Sequence, residues 1–88
     1  MTPYTPLAKF YYEQAVHVVK GPIPGAEPVI AEDPYFALMY AVVVLNDRFP
    51  AGEPTITKEP IFRDAYLKHF PQAKWDWAAN GLIDWTDV

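Results

Sequence analysis

Residues 24–36 read PGAEPVIAEDPYF, and a related pattern returns 26 residues later as PAGEPTITKEPIF at residues 50–62. Six of these thirteen positions are identical, whereas two unrelated segments of ordinary composition share roughly one. The match continues on both sides, through the pairs Phe10/Phe36, Ala15/Ala41, Val18/Val44 and Tyr40/Tyr66. A repeated unit of this length is a supersecondary element that cannot bury its apolar face alone, so we expect the copies to stack.

Proline and the residue before it mark where each helix begins. Thr5-Pro6, Asp33-Pro34 and Glu59-Pro60 each place a polar residue before a proline at the first helical position. Gly21 followed by Pro22 is expected to stop the first helix. Longer helices and short Pro-containing pieces of one or two turns are predicted to alternate over residues 7–20, 24–32, 35–46, 50–58 and 61–70. Each unit is therefore predicted to be a long helix, a tight turn and a short helix.

The middle long helix carries apolar residues on every side. One stripe at helical spacing consists of Phe36, Met39, Tyr40, Val43 and Val44, and the opposite side holds Leu38, Val42 and Leu45. A helix that is apolar all round is buried all round, so we expect it between the other two units. The β-branched run 42–44 also suits a buried strand, but the Asp-Pro cap and the length favour a helix. In the first helix we expect Phe10, Ala15, Val18 and Val19 to pack inward.

The third unit departs from the pattern. Phe70-Pro71 follows Tyr66 about five residues earlier than Phe49-Pro50 follows Tyr40, and residues 72–80 predict a short helix. Terminal units of stacked proteins are usually atypical because they cap the core. We predict an all-α fold, a small stack of about three helix–turn–short-helix repeats with a divergent C-terminal cap. Residues 1–88 form one domain, with units at about 8–33, 34–59 and 60–80 and a tail at 81–88.

The repeat resembles one found in uncharacterised bacteriophage proteins, which reads P-x-x-A-Y-x-Y-A-x-x-V-L-x-G-R-F/W-P-x-x-E-x-x-I. Its best copy here is residues 34–56, and the resemblance covers about residues 10–66. The first copy departs from the pattern, with Ile23 at the aromatic position and Pro22 in place of the arginine, and the third copy diverges after Tyr66. The resemblance implies a phage or prophage origin and a helical repeat fold, and it implies no activity.

Composition narrows the class of protein. Eighty-eight residues with 51% hydrophobic content can bury a core, and the absence of cysteine leaves that core without disulfides and fits a reducing compartment. The net charge of −4 and the seven scattered Lys and Arg residues argue against nucleic acid as a partner. The longest apolar run, residues 35–45, is shorter than the roughly twenty residues that span a bilayer. We expect no membrane partner and a cytoplasmic location, which is the host cytoplasm if the chain is phage-encoded.

The side chains that carry common chemistry are few. The chain has no serine and no cysteine, which removes the usual nucleophiles of acyl transfer. His17 and His69 occupy equivalent repeat positions, but their spacing is long and no third ligand is clustered nearby. Glu27 and Glu53 recur in register; we interpret them as structural carboxylates that meet the start of a short helix or pair with Arg48 or Lys20, rather than as a hydrolytic pair. The sequence predicts no enzyme, no metal and no cofactor.

The C-terminal region holds all the tryptophans, namely Trp75, Trp77 and Trp85, interleaved with Asp76, Asp84 and Asp87. Tryptophan is enriched in binding hot spots, and acidic neighbours steer basic partners. The simpler alternative is that these rings close the end of a small core. Trp77 suits the core, and Trp75, two residues away, cannot share its helical face. The candidate protein-binding residues are therefore Trp75, Asp76, Asp84, Trp85 and Asp87.

These observations predict a small non-enzymatic module that binds another protein, with a host protein as the expected partner of a phage product. It would act there as an inhibitor or modulator. The alternative is a self-associating structural protein of a phage, since stacked units with apolar ends readily pair and form homo-oligomers. An acidic mimic of DNA is the weaker interpretation, because eleven acids are spread over the whole chain.

Overall fold

The computed structural model describes residues 6–83, and within them the regular secondary structure is all helix, joined by turns, with no strand. Helix α1 spans Pro6–Glu13 and continues as a π-helical segment, Gln14–Val19. A 3₁₀ turn, Pro24–Ala26, leads into α2, Glu27–Ile30. Helix α3 spans Pro34–Met39 and continues as a π-helical segment, Tyr40–Leu45. A second 3₁₀ turn, Pro50–Gly52, leads into α4, Glu53–Ile56, and then come α5, Pro60–His69, and α6, Ala73–Ala79. The all-α prediction is confirmed.

The capping residues before Pro34 and Pro60 behave differently. Asp33 is extended, and its Oδ1 accepts hydrogen bonds from the backbone N–H of Tyr35 at 2.9 Å and of Phe36 at 3.2 Å. This confirms the predicted cap. Glu59 has a similar extended backbone but makes no side-chain capping bond. The shorter aspartate is the better cap because its carboxylate reaches the first free N–H groups of the helix. Thr5 lies outside the described residues.

The first two long helices end in the same way. Lys20 and Asn46 both adopt left-handed backbone conformations, with φ of 60° and 49°. The next residues, Gly21 and Asp47, donate backbone hydrogen bonds to Ala15 O and Ala41 O at 3.0 and 3.1 Å. Gly21 was expected to be the stop signal, but the left-handed turn is made by the lysine before it. The backbone N–H groups of Lys20 and Gly21 both bond Ala15 O, so the helix closes at the lysine.

Local geometry therefore recurs at a separation of 26 residues. The residues before the two 3₁₀ turns, Ile23 and Phe49, have φ, ψ of −122°, 85° and −121°, 82°. The third unit differs, since α5 carries no π-helical segment and Phe70, with φ −134° and ψ 71°, comes 21 residues after Phe49. Ala73 N then bonds Phe70 O at 3.0 Å, as Gly52 N bonds Phe49 O at 3.0 Å. The 26-residue period of the whole chain stays a prediction.

Helix α3 packs between α1 and α5, and the short helices lie alongside the long ones. The core forms one cluster, whose largest fully buried side chains are Trp77, Tyr40, Tyr66, Phe49, Ile30 and Ile56. None of the helices formed by residues 6–83 has the length and apolar content that crossing a membrane requires.

Two expectations about helix faces are wrong in part. In α3 and its π-helical extension, burial is complete only near Phe36 to Ala41, and Val43 is 48% exposed. In the first helix Ala15 is buried as expected, but Phe10, Val18 and Val19 are 51%, 65% and 54% exposed. Phe10 is exposed because no described helix packs outside α1. Val18 and Val19 lie at the end of the π-helical segment, whose wider turn rotates the helix face relative to the regular spacing that the prediction assumed.

Candidate binding site at helix α6

A tyrosine–glutamate hydrogen bond joins each unit to the next. Tyr40 Oη donates to Glu27 Oε2 at 2.7 Å and accepts from the backbone N–H of Ile23 at 3.1 Å. Twenty-six residues later, Tyr66 Oη donates to Glu53 Oε2 at 2.7 Å and accepts from Phe49 N at 2.7 Å. Burial and the bond to Glu27 raise the pKa of Tyr40 to about 12. Each glutamate is therefore used to hold two units together, a structural role.

The Glu53 carboxylate accepts further side-chain hydrogen bonds that have no equivalent at Glu27 among the described residues. Its Oε1 accepts from Arg48 Nη2 at 2.8 Å and from Trp77 Nε1 at 2.9 Å, and its Oε2 also accepts from Arg48 Nε at 2.8 Å. Burial alone would raise the pKa of Glu53, but the bonds from Arg48, Tyr66 and Trp77 outweigh it and lower the pKa below 4.5. The carboxylate is thus held ionised in the core. Its partners are side chains, so the predicted pairing with Arg48 is confirmed for Glu53, whereas the predicted contact with the backbone N–H groups of the short helix is not what the structure has.

Arg48 connects this buried cluster to the surface. Its Nη1 donates to Asp76 Oδ2 at 2.5 Å, and the Asp76 side chain is 59% exposed. The bonds to Glu53 raise the pKa of Arg48 above its already high value, against the opposing effect of burial, and the bond to Asp76 adds to the rise. The guanidinium is therefore a fixed bridge between a buried carboxylate and an exposed one.

Helix α6 is anchored by Trp77. This ring is 1% exposed and stacks on Tyr66 with centroids 5.3 Å apart and an interplanar angle of 23°. Trp75, on another face of the same helix, is 63% exposed. The expected division between an inward Trp77 and an outward Trp75 is what the structure has, and spacing alone was sufficient to predict it.

A cleft of about 470 Å³ runs beside α6. We call it the α6 cleft, and its lining comprises Arg48, Pro50, Glu53, Pro54, Asp76, Trp77, Asn80 and Leu82. A smaller groove of about 310 Å³ lies between the π-helical segments, lined by Ala15, Val16, Lys20, Gly21, Val43 and Val44. Both are open to the surface.

The predicted site residues divide into two groups. Trp75 and Asp76 lie on α6, and Asp76 lines the cleft, whereas Asp84, Trp85 and Asp87 lie outside the described residues. The tail-based prediction omitted Arg48, Asn80 and Leu82. The sequence named Arg48 only as a pairing partner for the recurring glutamates and not as a site residue, although it also occupies the arginine position of the repeat that the chain resembles. Asn80 and Leu82 carry no such signal.

The histidines stand apart from these clefts. His17 and His69 are exposed, and neither lines the α6 cleft or the groove between the π-helical segments. Among residues 6–83, no three or more histidine, aspartate and glutamate side chains are grouped so as to hold a metal ion. Comparison of the chain with protein-family models, with curated proteins and with solved structures finds no match.

Proposed function

We propose that this chain is a small non-enzymatic module that binds another protein through α6. The observation that carries the proposal is the 63% exposure of Trp75 on a helix whose next face is locked into the core by Trp77. Exposed tryptophan is costly to keep in water and is enriched where binding energy is concentrated. A ring presented by a rigid helix loses little conformational entropy when it binds.

The buried polar groups favour binding over catalysis. Glu53 is occupied by hydrogen bonds from Arg48, Tyr66 and Trp77, and its lowered pKa makes it a poor proton donor near neutral pH. Burial and the bond to Glu53 raise the pKa of Tyr66, so its hydroxyl stays protonated. These groups are engaged with one another, which suits a structural role in holding α6.

A host protein in the bacterial cytoplasm is the partner we propose, with inhibition or modulation as the outcome. The support is the resemblance of residues 34–56 to the bacteriophage repeat. Because the net charge is −4, a partner protein with a basic surface would associate with this chain faster than a partner with an acidic surface.

The test is an affinity capture from bacterial lysate, read by mass spectrometry, with the wild-type chain and Trp75→Ala as baits. Ile61→Ala is the matched control, because Ile61 is 79% exposed but lies on α5. We expect a stoichiometric protein that the wild type and Ile61→Ala retain and Trp75→Ala loses. Equal capture by all three folded baits would contradict a site at Trp75, and capture of nothing would contradict the proposal.

Self-association is the second candidate, favoured by the exposure of equivalent residues at the two ends of the stack. Phe36 packs against Tyr12 of the first unit and is 6% exposed, whereas Phe10, its equivalent, is 51% exposed. At the other end Tyr35 contacts Phe62 of the next unit, and its equivalent Ile61 is 79% exposed. A second copy could continue the stack by bringing Phe10 against Ile61.

Sedimentation velocity separates self-association from binding of another protein. If a head-to-tail contact forms, the sedimentation coefficient of the wild type should rise with protein concentration, whereas Phe10→Asp alone and Ile61→Asp alone should stay monomeric. In a mixture of the two variants, the intact Ile61 of one chain can still meet the intact Phe10 of the other, so the mixture should form dimers and nothing larger. A wild-type chain that remains monomeric at high concentration would remove this candidate and leave the first untouched.

A further inference from the structure

The α6 cleft carries an unbalanced negative charge. Of its lining residues, Arg48 is cationic and Glu53 and Asp76 are anionic, so the three together have one surplus negative charge. Arg48 directs Nε and Nη2 to Glu53 and Nη1 to Asp76, which commits its charge to these two carboxylates. An incoming anion would therefore meet repulsion without an available cation.

Asp76 is the group that an incoming ligand can reach. Its Oδ2 accepts from Arg48, yet the side chain remains 59% exposed, and a carboxylate has about four acceptor positions on its two oxygens. Glu53, by contrast, is only 4% exposed. The surplus charge is thus displayed at the mouth of the cleft by Asp76.

The rest of the cleft is suited to an aliphatic chain. Pro50 and Pro54 are exposed, Leu82 is 39% exposed, and Trp77 forms part of the lining. Asn80, exposed at the end of α6, adds an amide oxygen that can accept a hydrogen bond. Apolar walls beneath a carboxylate and an amide match a side chain with a long methylene stem and a cationic end.

We propose that the α6 cleft takes an arginine or lysine side chain of the protein partner. The methylene stem lies against Pro50, Pro54 and Leu82, and the cationic group binds Asp76 and Asn80. This inference rests on the proposed function, since it states the chemistry of the partner at the same helix. A neutral apolar side chain is the poorer occupant, because it would cover Asp76 without replacing its water.

The experiment is a selection from a displayed library of random peptides of about twelve residues, with the wild-type chain as bait. We expect the selected peptides to share an arginine or lysine. Replacing that residue by citrulline or norleucine in a synthetic peptide should weaken binding at least about tenfold, the loss expected for a charge-assisted hydrogen bond. Asp76→Asn should weaken the parent peptide to a similar extent.

Asp64→Asn is the matched control for loss of negative charge. Asp64 is also an exposed aspartate paired with an arginine, Arg63 at 3.3 Å, but it does not line the cleft. We expect this variant to keep wild-type affinity at moderate salt, where distant charges are screened. Asn80→Asp, which adds a carboxylate at the exposed end of α6, should tighten binding of the basic peptide and provides a test independent of the Arg48–Asp76 pair.

The outcomes separate failure of this inference from failure of the proposed function. Selected peptides without a basic residue, or basic peptides that bind Asp76→Asn and Asp64→Asn equally, would overturn the inference. If those peptides still lost affinity with Trp75→Ala, the proposed function would stand without it. A library that yields no binder would overturn the inference alone, because the lysate capture tests the proposed function separately.

Discussion

The environments of Glu27 and Glu53 begin from the same local structure and end differently. The residues before them, Ala26 and Gly52, have φ, ψ of −96°, −9° and −93°, −10°, and each glutamate accepts a 2.7 Å hydrogen bond from a tyrosine thirteen residues later. Glu27 is only half-buried, whereas Glu53 is 4% exposed. Sequence similarity fixed neither burial nor the number of partners.

The difference comes from what lies around each glutamate. Pro22 occupies the position equivalent to Arg48, so the first unit lacks the guanidinium that pairs with Glu53. Helix α6 then covers Glu53 with Trp77, whose indole N–H donates to the carboxylate. Within residues 6–83, the repeated glutamate thus forms a buried ion pair at Glu53 and a single tyrosine hydrogen bond at Glu27. The difference arises because the residues packed around each carboxylate set its burial and its local dielectric constant.

The largest expected contrast is in the free energy of unfolding lost by Glu53→Ala and by Glu27→Ala. Glu53→Ala removes the acceptor of Arg48 Nε and Nη2, Tyr66 Oη and Trp77 Nε1, and it should lower the free energy of unfolding by about 3 kcal/mol. Glu27→Ala removes one bond at a half-buried position and should cost about 1 kcal/mol. Urea unfolding followed by circular dichroism measures both.

Glu32→Ala, at an exposed position, is the control and should change stability little. Equal losses for Glu27→Ala and Glu53→Ala would show that the additional partners of Glu53 contribute no net stability.

The next contrast concerns the residue before each glutamate. A Cβ added at Gly52 would lie 2.8 Å from both Ala37 Cβ and the Phe49 ring, although the equivalent position holds Ala26. Gly52→Ala should therefore destabilise the protein by about 2 kcal/mol through overpacking. Ala26→Gly should cost only about 0.5–1 kcal/mol, from lost helix propensity. The melting temperatures of the two variants compare these losses, and a neutral Gly52→Ala would mean that both the Phe49 ring and Ala37 shift aside at little cost.

A smaller effect is expected from acid. Because the folded state lowers the pKa of Glu53, this carboxylate contributes stability that is fully present above pH 4.5 and is lost as the pH falls through its lower folded pKa. Glu53→Gln lacks this contribution, so the stability gap to the wild type should narrow below pH 4.5, by at most about 1.4 kcal/mol per pH unit. Urea unfolding of both proteins across this range checks it, and parallel pH profiles would refute the assignment to Glu53.

The smallest contrast is between the two left-handed helix ends. Lysine pays more strain than asparagine at positive φ, so Lys20→Asn should raise the free energy of unfolding by about 0.5–1 kcal/mol. The reverse change, Asn46→Lys, should lower it by a similar amount. Thermal melts of the two variants report this, and shifts of the same sign would rule out backbone strain as the cause.

Much of the architecture was accessible from sequence because it depends on local signals. Asp33-Pro34 marked a true helix start, and the short pieces after Ile23 and Phe49 are helical turns as predicted. Spacing also separated Trp75 from Trp77. The exposure of Phe10, Val18 and Val43 was not accessible, since it depends on which neighbouring helices exist and on π-helical turns that rotate a face. The α6 cleft was missed because its lining joins residues 48–54 to residues 76–82.

The sequence by itself determined that the chain is helical, where its helices begin and which glutamates recur. Those features follow from proline geometry, capping chemistry and periodicity, all of which act over a few residues. Only the tertiary structure decided that Glu53 is buried beneath Trp77, that Arg48 joins it to Asp76, and that a cleft opens beside α6. Burial and charge pairing depend on contacts between residues distant in the chain, and these arise only when the units pack.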